Sequence, residues 1–217
     1  MSVKVSDTGR ELRIEGPGRV KPCADDGALV VEGSAVGLPG AGEGPGAEQW
    51  VATSCGVAVW NGGVHRFSAT PDDCRLQSST ESAHLYIASD MVGDDLAVDG
   101  GAPDSGAPIA ASRFTLVSGR RTIRVHSKSP IARDLAVKNA LAECAKAATD
   151  AETVGVRLRG GEAGAPKSDG IGELAVRSIG VRRVARAACA VAAVRIARAG
   201  EKPADVAALK AAEARFR

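Results

Sequence analysis

The sequence predicts an α+β fold: an antiparallel β-sandwich or roll over residues 1–126, followed by a helical hairpin or three-helix unit over residues 127–217. Three observations predict it. The hydrophobic period changes from two to about 3.6 near Ser127–Pro130. The local charge balance changes from −4 over residues 1–128 to +6 over residues 129–217. Ser129-Pro130 supplies a helix start, with Ser as N-cap and Pro at the first helical position.

The first half reads as short strands broken by turns. Val3-Lys4-Val5 alternates, and Glu11-Leu12-Arg13-Ile14-Glu15 alternates cleanly. Alternation places one face of each strand in a core and the other in solvent. Ala28–Glu32 has a more buried character. Gln49–Thr53, Val57–Trp60, Gly63–Phe67, Cys74–Gln77, His84–Ala88, Arg113–Val117 and Thr122–His126 follow. Turns are expected at Gly16-Pro17-Gly18, Asp25-Asp26-Gly27, Asn61-Gly62-Gly63 and Ser118-Gly119-Arg120. Asn61-Gly62 between two alternating runs predicts a hairpin. Residues 37–47 and 99–108 are too rich in Gly and Pro for regular structure and are expected as surface loops. The first lacks the Lys-Ser/Thr close of a phosphate loop and precedes a strand.

The second half reads as three helices. One runs from Ile131 to about Leu158, with Val137, Leu141, Cys144, Ala148 and Ala151 along one face. Residues 160–170 are expected as a linker. A second helix spans about Ile171–Ala199, with Gly200 placed to end it. Its stripe is Val184, Ala187, Val191 and Val194. A third begins near Pro203 and carries Val206, Leu209 and Ala212.

A length of 217 residues suits one large domain or two small ones. Hydrophobic content is 44% but aromatics are only 3%, so the core is built from small side chains and each contributes less on burial. Cross-links gain importance in such a chain. The acidic and basic halves read first as surfaces that attract each other, with the helices docked on the β half. A basic patch for an acidic partner is the other reading. No apolar run spans a membrane, and Met1–Asp7 has no apolar segment of the signal-peptide kind. A start that drops directly into a strand also fits a chain whose signal or lipid anchor lies upstream.

The five cysteines are Cys23, Cys55, Cys74, Cys144 and Cys189. With no CxxC and three histidines, His65, His84 and His126, no zinc signature is assembled. One bridge per half with one thiol left over is the simplest arrangement in an oxidising compartment. The alternative is five buried thiols in a cytosolic protein. Cys144 and Cys189 lie near the middles of two helices that face each other if antiparallel, which predicts a Cys144–Cys189 disulfide. Cys189 is opposite the Val184–Val194 stripe, so its helix must then bury both faces. In the β half, Cys23, Cys55 and Cys74 leave three pairings open.

Candidate chemistry is sparse. Cys55 with His65 or His84 is the one nucleophile–base pairing, and no helix N-terminus follows Cys55 to lower its pKa. A structural or disulfide role is preferred. Asp90, Asp94, Asp95 and Asp99 lack the spacing of an EF-hand and read as solvated loop carboxylates. Arg177, Arg182, Arg183, Arg186, Arg195 and Arg198 spread around their helix without interleaved aromatics, which disfavours nucleic acid. Trp50 and Trp60 on adjacent strands read as core, with a carbohydrate or peptide platform as the sharper alternative. Trp50, Trp60, Arg182, Arg183 and Arg186 are therefore kept as a candidate binding surface. No catalytic, cofactor or metal residues are assigned.

Gly16-Pro17-Gly18-Arg19-Val20-Lys21-Pro22-Cys23 and the run PGAGEGPGAEQWVATSCGV from Pro39 to Val57 carry a resemblance. They are similar to the G-x-G-R-x-x-P-C … P-G-A-E-x-W-V-x-T-x-x-G-V phrasing of FecR-like domains in cell-envelope proteins of GC-rich Gram-negative bacteria. The resemblance covers about residues 1–126. It implies an all-β, periplasmic or surface-exposed interaction domain, often in lipoproteins, with no catalytic residues. The best-known members relay a signal from an outer-membrane receptor to a sigma factor. This sequence shows neither a cytoplasmic N-terminal segment nor a transmembrane helix, so that role does not transfer whole.

The expected function is a non-catalytic interaction or scaffold module of the cell envelope, related to signalling or adhesion. Its expected partner is an envelope protein, with polysaccharide or peptidoglycan second and nucleic acid disfavoured. The competing expectations are a hydrolase or transferase built on Cys55, and a binder of an acidic polymer through the basic helix.

Overall fold

The computed structural model describes residues 2–4, 11–23, 27–38, 48–70, 73–78, 82–96, 107–108, 114–127, 129, 131–160 and 168–216. They divide into two compact units, Met1–Ala132 and Arg133–Arg217. The first is a curled, mostly antiparallel β-sheet and the second holds three helices, an α+β fold.

The strands are β1 (Ser2–Lys4), β2 (Glu11–Cys23), β3 (Gly27–Leu38), β4 (Gln49–Ala52), β5 (Gly56–Trp60), β6 (His65–Ala69), β7 (Asp73–Ser78), β8 (Ala83–Ile87), β9 (Met91–Leu96), β10 (Ala107–Pro108), β11 (Thr115–Val117) and β12 (Arg121–Ser127). Their order is β10-β9-β12-β7-β6-β3-β4-β5-β8-β11, with β2 paired to β3 and β1 to β2. The strand β3 makes the curl. Along one edge, Gly27–Leu29 pair in parallel with β4, while Gly33–Gly37 pair antiparallel with β6. One strand therefore belongs to both arms of the sheet, and the apolar faces of the arms close on each other. Trp60 of β5 stacks on Phe67 of β6 with ring centroids 5.0 Å apart.

Three turn expectations change in this frame. Gly16-Pro17-Gly18 is not a turn between strands but lies inside β2. Glu15 pairs with Ser34 and Arg19 with Glu32, so three residues of β2 oppose Gly33 alone. A bulge is where a sheet tolerates proline, which cannot donate to the ladder, and glycine. Asn61-Gly62 does not close a hairpin. The strand before it pairs with β4 and β8, and the strand after it with β3 and β7. The four-residue link crosses from one arm to the other, and packing of Trp60 against Phe67 decides over the local turn signal. Residues 37–38, expected in a loop, complete β3. There Gly37 lies under the Trp60 ring: a Cβ would meet Cζ2 at 2.5 Å. Asp25, Asp26 and residues 39–47 lie outside the described residues. Of the second expected loop, residues 107–108 form β10, and 99–106 lie outside the described residues.

The helices are α1 (Arg133–Gly160), α2 (Ser168–Ala199) and α3 (Pro203–Glu213). The first starts at Arg133, not at Ser129-Pro130. The Ser127 hydroxyl donates to the Ser129 carbonyl, holding that segment as a connection into the helix. Of the expected linker, Gly160 and residues 168–170 are helical and 161–167 lie outside the described residues. The first two helices are antiparallel, since Ala136 meets Arg195, Cys144 meets Cys189 and Gly155 meets Arg182, and α3 packs on both. Val137, Cys144, Ala148 and Ala151 of the predicted stripe are buried, and Leu141 is half-buried. Along α2, Ala187, Val191 and Val194 are buried, and so are Ala185, Cys189 and Ala192 on the other side. The helix does bury two faces there, which small side chains make feasible. Gly200 ends it with φ 99°, and the Glu201 N–H donates to Ile196 O at 3.0 Å, a Schellman closure.

Candidate functional site

The turn between β4 and β5 positions Cys55. The Thr53 N–H donates to Gly56 O at 2.8 Å, and the Thr53 hydroxyl accepts the Cys55 and Gly56 N–H groups at 3.3 Å each. The Ala88 N–H donates to Cys55 O at 3.0 Å, tying the turn to the end of β8. Cys55 is 1% exposed and bonded to Cys74 of β7, with the Ser54 hydroxyl 3.7 Å from each sulfur. Cys55 thus has no thiolate, as the preferred disulfide role expects, and the competing nucleophile–base pair is not assembled. His84 is exposed on β8, and His65 is buried and donates from Nε2 to Gly62 O at 2.8 Å. The pairing left open by the sequence is settled as Cys55–Cys74, which fastens one arm of the sheet to the other. Cys23, at the end of β2, is outside both disulfides. In the helical unit Cys144 is bonded to Cys189, both within the buried interface of α1 and α2.

The acidic group also moves. Asp94 and Asp95 are not in a loop but in β9, opposite Arg124 and Ile123 of β12. Asp95 pairs with Arg121, and Asp94 with His126 Nε2 at 2.8 Å. Arg124 reaches the other way to Asp73 on β7 at 2.7 Å, and that carboxylate raises the guanidinium above its ordinary pKa. These half-buried carboxylates are taken up in cross-strand pairs. Asp90 sits in the turn before the strand, and Asp99 lies outside the described residues. Among the described residues, no group of three or more His, Cys, Asp and Glu side chains could hold a metal ion.

Of the two tryptophans, Trp60 is 2% exposed between His65 and Phe67 and presents no platform. Trp50 is half-buried and covers Gly27, where a Cβ would fall 1.8 Å from the indole. The arginines divide. Arg195 is 4% exposed and donates to Ala136 O at 3.0 Å, so it belongs to the helical interface and not to a surface. Arg177, Arg182, Arg183 and Arg186 are exposed along the N-terminal part of α2. Beside them stand Val176 at 71% and Ile179 at 57% exposure. Sequence reasoning passed over these two. The available signal was that no Asp or Glu occurs between Glu173 and Glu201, so every charged residue of that stretch is basic. Elsewhere in this unit, Lys202 binds Asp134 at 2.9 Å, and the hydrogen bond and positive charge hold that carboxyl below the usual Asp range.

Among the described residues, no helix is long and apolar enough to cross a membrane. No family model matches the chain. No curated protein matches it. Among solved structures, the chain is similar to a candidate anti-sigma factor from Parabacteroides distasonis, with 12% identity, 55% of each chain covered and a TM-score of 0.34.

Proposed function

We propose that the chain is a non-catalytic interaction module of an oxidising cell-envelope compartment, periplasmic or at the cell surface, with a FecR-like β unit. The observation that carries this reading is the pair of disulfides, one in each unit, with all four sulfur-bearing side chains buried. Reducing compartments keep thiols reduced, whereas a small-residue core gains most from cross-links where they persist. The same pairing speaks against a Cys-dependent hydrolase or transferase, because Cys55 is one of the bonded residues. The Gly16–Cys23 and Pro39–Val57 motifs supply the family part of the reading. A protein partner in the envelope follows from that family, and signalling or adhesion is the process it would serve.

The test uses the native gene product, fractionated, quenched in acid to stop thiol exchange and then alkylated in denaturant at neutral pH. The expected outcome is an envelope fraction with alkylation at Cys23 alone. Alkylation at all five cysteines in a cytosolic fraction would sink the proposal.

A further inference from the structure

We infer that the Val176–Arg186 stretch of α2 is a docking face for an acidic amphipathic segment of a partner protein. This deepens the interaction-module reading and rests on it in that the chain works by binding. Val176, Gly180, Arg183, Ala187, Val191 and Val194 follow one line along the helix. The last three are buried and the first three are exposed. One continuous helix face is therefore covered from Ala187 to Val194 and open from Val176 to Arg183.

The third helix lies beside α1 between Asp134, bound by Lys202, and Thr149, whose hydroxyl takes a hydrogen bond from Arg215 at 2.8 Å. The first helix runs on past Thr149 to Gly160. Gly155 is across from Arg182, 3.8 Å from an added Cβ, so Val156, 55% exposed, stands at the level of the open face. Charge names the occupant. Arg177, Arg182, Arg183 and Arg186 surround Val176 and Ile179 with no carboxylate on that stretch of helix. A matching surface presents apolar side chains at helical spacing flanked by Asp or Glu. A lipid surface fits less well, because among the described residues the open face shows Val156, Val176 and Ile179 and none of the Trp, Phe or Leu that interfacial helices bring. Nucleic acid would leave the exposed valine and isoleucine without a role and offers no aromatic to stack on.

The experiment titrates the full oxidised chain with a synthetic amphipathic helix having leucines on one face and glutamates elsewhere. A composition-matched scramble, phosphatidylglycerol vesicles and duplex DNA are titrated in parallel. The expected result is salt-sensitive binding of the amphipathic helix, weakened roughly tenfold by Ile179→Ser and by Arg182→Ser/Arg183→Ser, each about 1.4 kcal/mol by that conversion. A photoreactive version of the peptide should cross-link wild-type protein within residues 176–186, which needs no variant to fold. Equal binding of the scramble, tighter binding of vesicles or DNA, concentration-dependent self-association lost in Ile179→Ser, or no binding at low salt each overturns the proposal. None of these outcomes bears on the disulfides or compartment, so the interaction-module reading stands or falls separately.

Discussion

Gly37 and Gly56 leave out side chains at places where their neighbours have no room to give. A Cβ on Gly37 would strike the buried Trp60 ring at 2.5 Å, and one on Gly56 would strike the Tyr86 carbonyl oxygen at 2.1 Å. A buried ring can shift somewhat, but a backbone oxygen in a strand ladder can shift only by loosening β5 from β8. Gly37→Ala should therefore cost about 1–3 kcal/mol, as overpacking does, and Gly56→Ala should cost more. Denaturant titration checks the order, and Trp60→Phe in the Gly37→Ala background should recover part of the loss. Wild-type stability in both single variants would refute the close approaches. Two glycines of α2, one inside it and one just past its end, differ in sign. Gly180 has nothing within 4 Å, so Gly180→Ala should stabilise by up to about 1 kcal/mol. Gly200 has φ 99°, so Gly200→Ala should destabilise by about 1–2 kcal/mol.

At the scale of elements, the antiparallel pair α1 and α2 is held by small side chains and one covalent bond. The Cys144–Cys189 bond spans 45 residues, and closing such a loop removes entropy from the unfolded chain worth roughly 4 kcal/mol. Cys144→Ala/Cys189→Ala should lose stability of that order in denaturant titration, and an unchanged midpoint would show that packing alone suffices. The third helix is clamped at its start by Lys202 on Asp134. That carboxyl is lowered in the folded state, so its contribution is present above the ordinary Asp pKa and is lost as pH falls through the lowered value. A carboxyl titration followed by NMR should place the Asp134 midpoint below the usual value of about 3.9. Lys202→Ala should return it toward that value, and identical midpoints in the two proteins would remove the clamp.

Across the whole molecule, each unit has its own disulfide and its own optical probe. Both tryptophans are in the sheet, and all α-helix among the described residues is in the second unit. Cys55→Ala/Cys74→Ala should lower the midpoint read by tryptophan emission, and Cys144→Ala/Cys189→Ala the midpoint read by the helical far-ultraviolet signal. Equal shifts of both signals in each variant would show instead that the chain unfolds as one cooperative block.

The sequence by itself determined that the first half is strand and the second helix, because side-chain periodicity is local and survives in one dimension, but it missed β9 and β10, whose Asp- and Gly/Pro-rich residues show no alternation. It also pointed to Cys144 with Cys189, since both positions are near the middles of helices that short-range pattern already defines. Only the tertiary structure decided that Asn61-Gly62 links two arms of a sheet, that Cys55 takes Cys74, and that Gly16-Pro17-Gly18 is a bulge. Strand pairing joins residues far apart in the chain, and no local pattern encodes which edge a strand will choose. The same holds on α2. Arg195 and Arg183 look alike in sequence, yet one is buried against Ala136 and the other exposed, because the burial of a helix face depends on what packs against it.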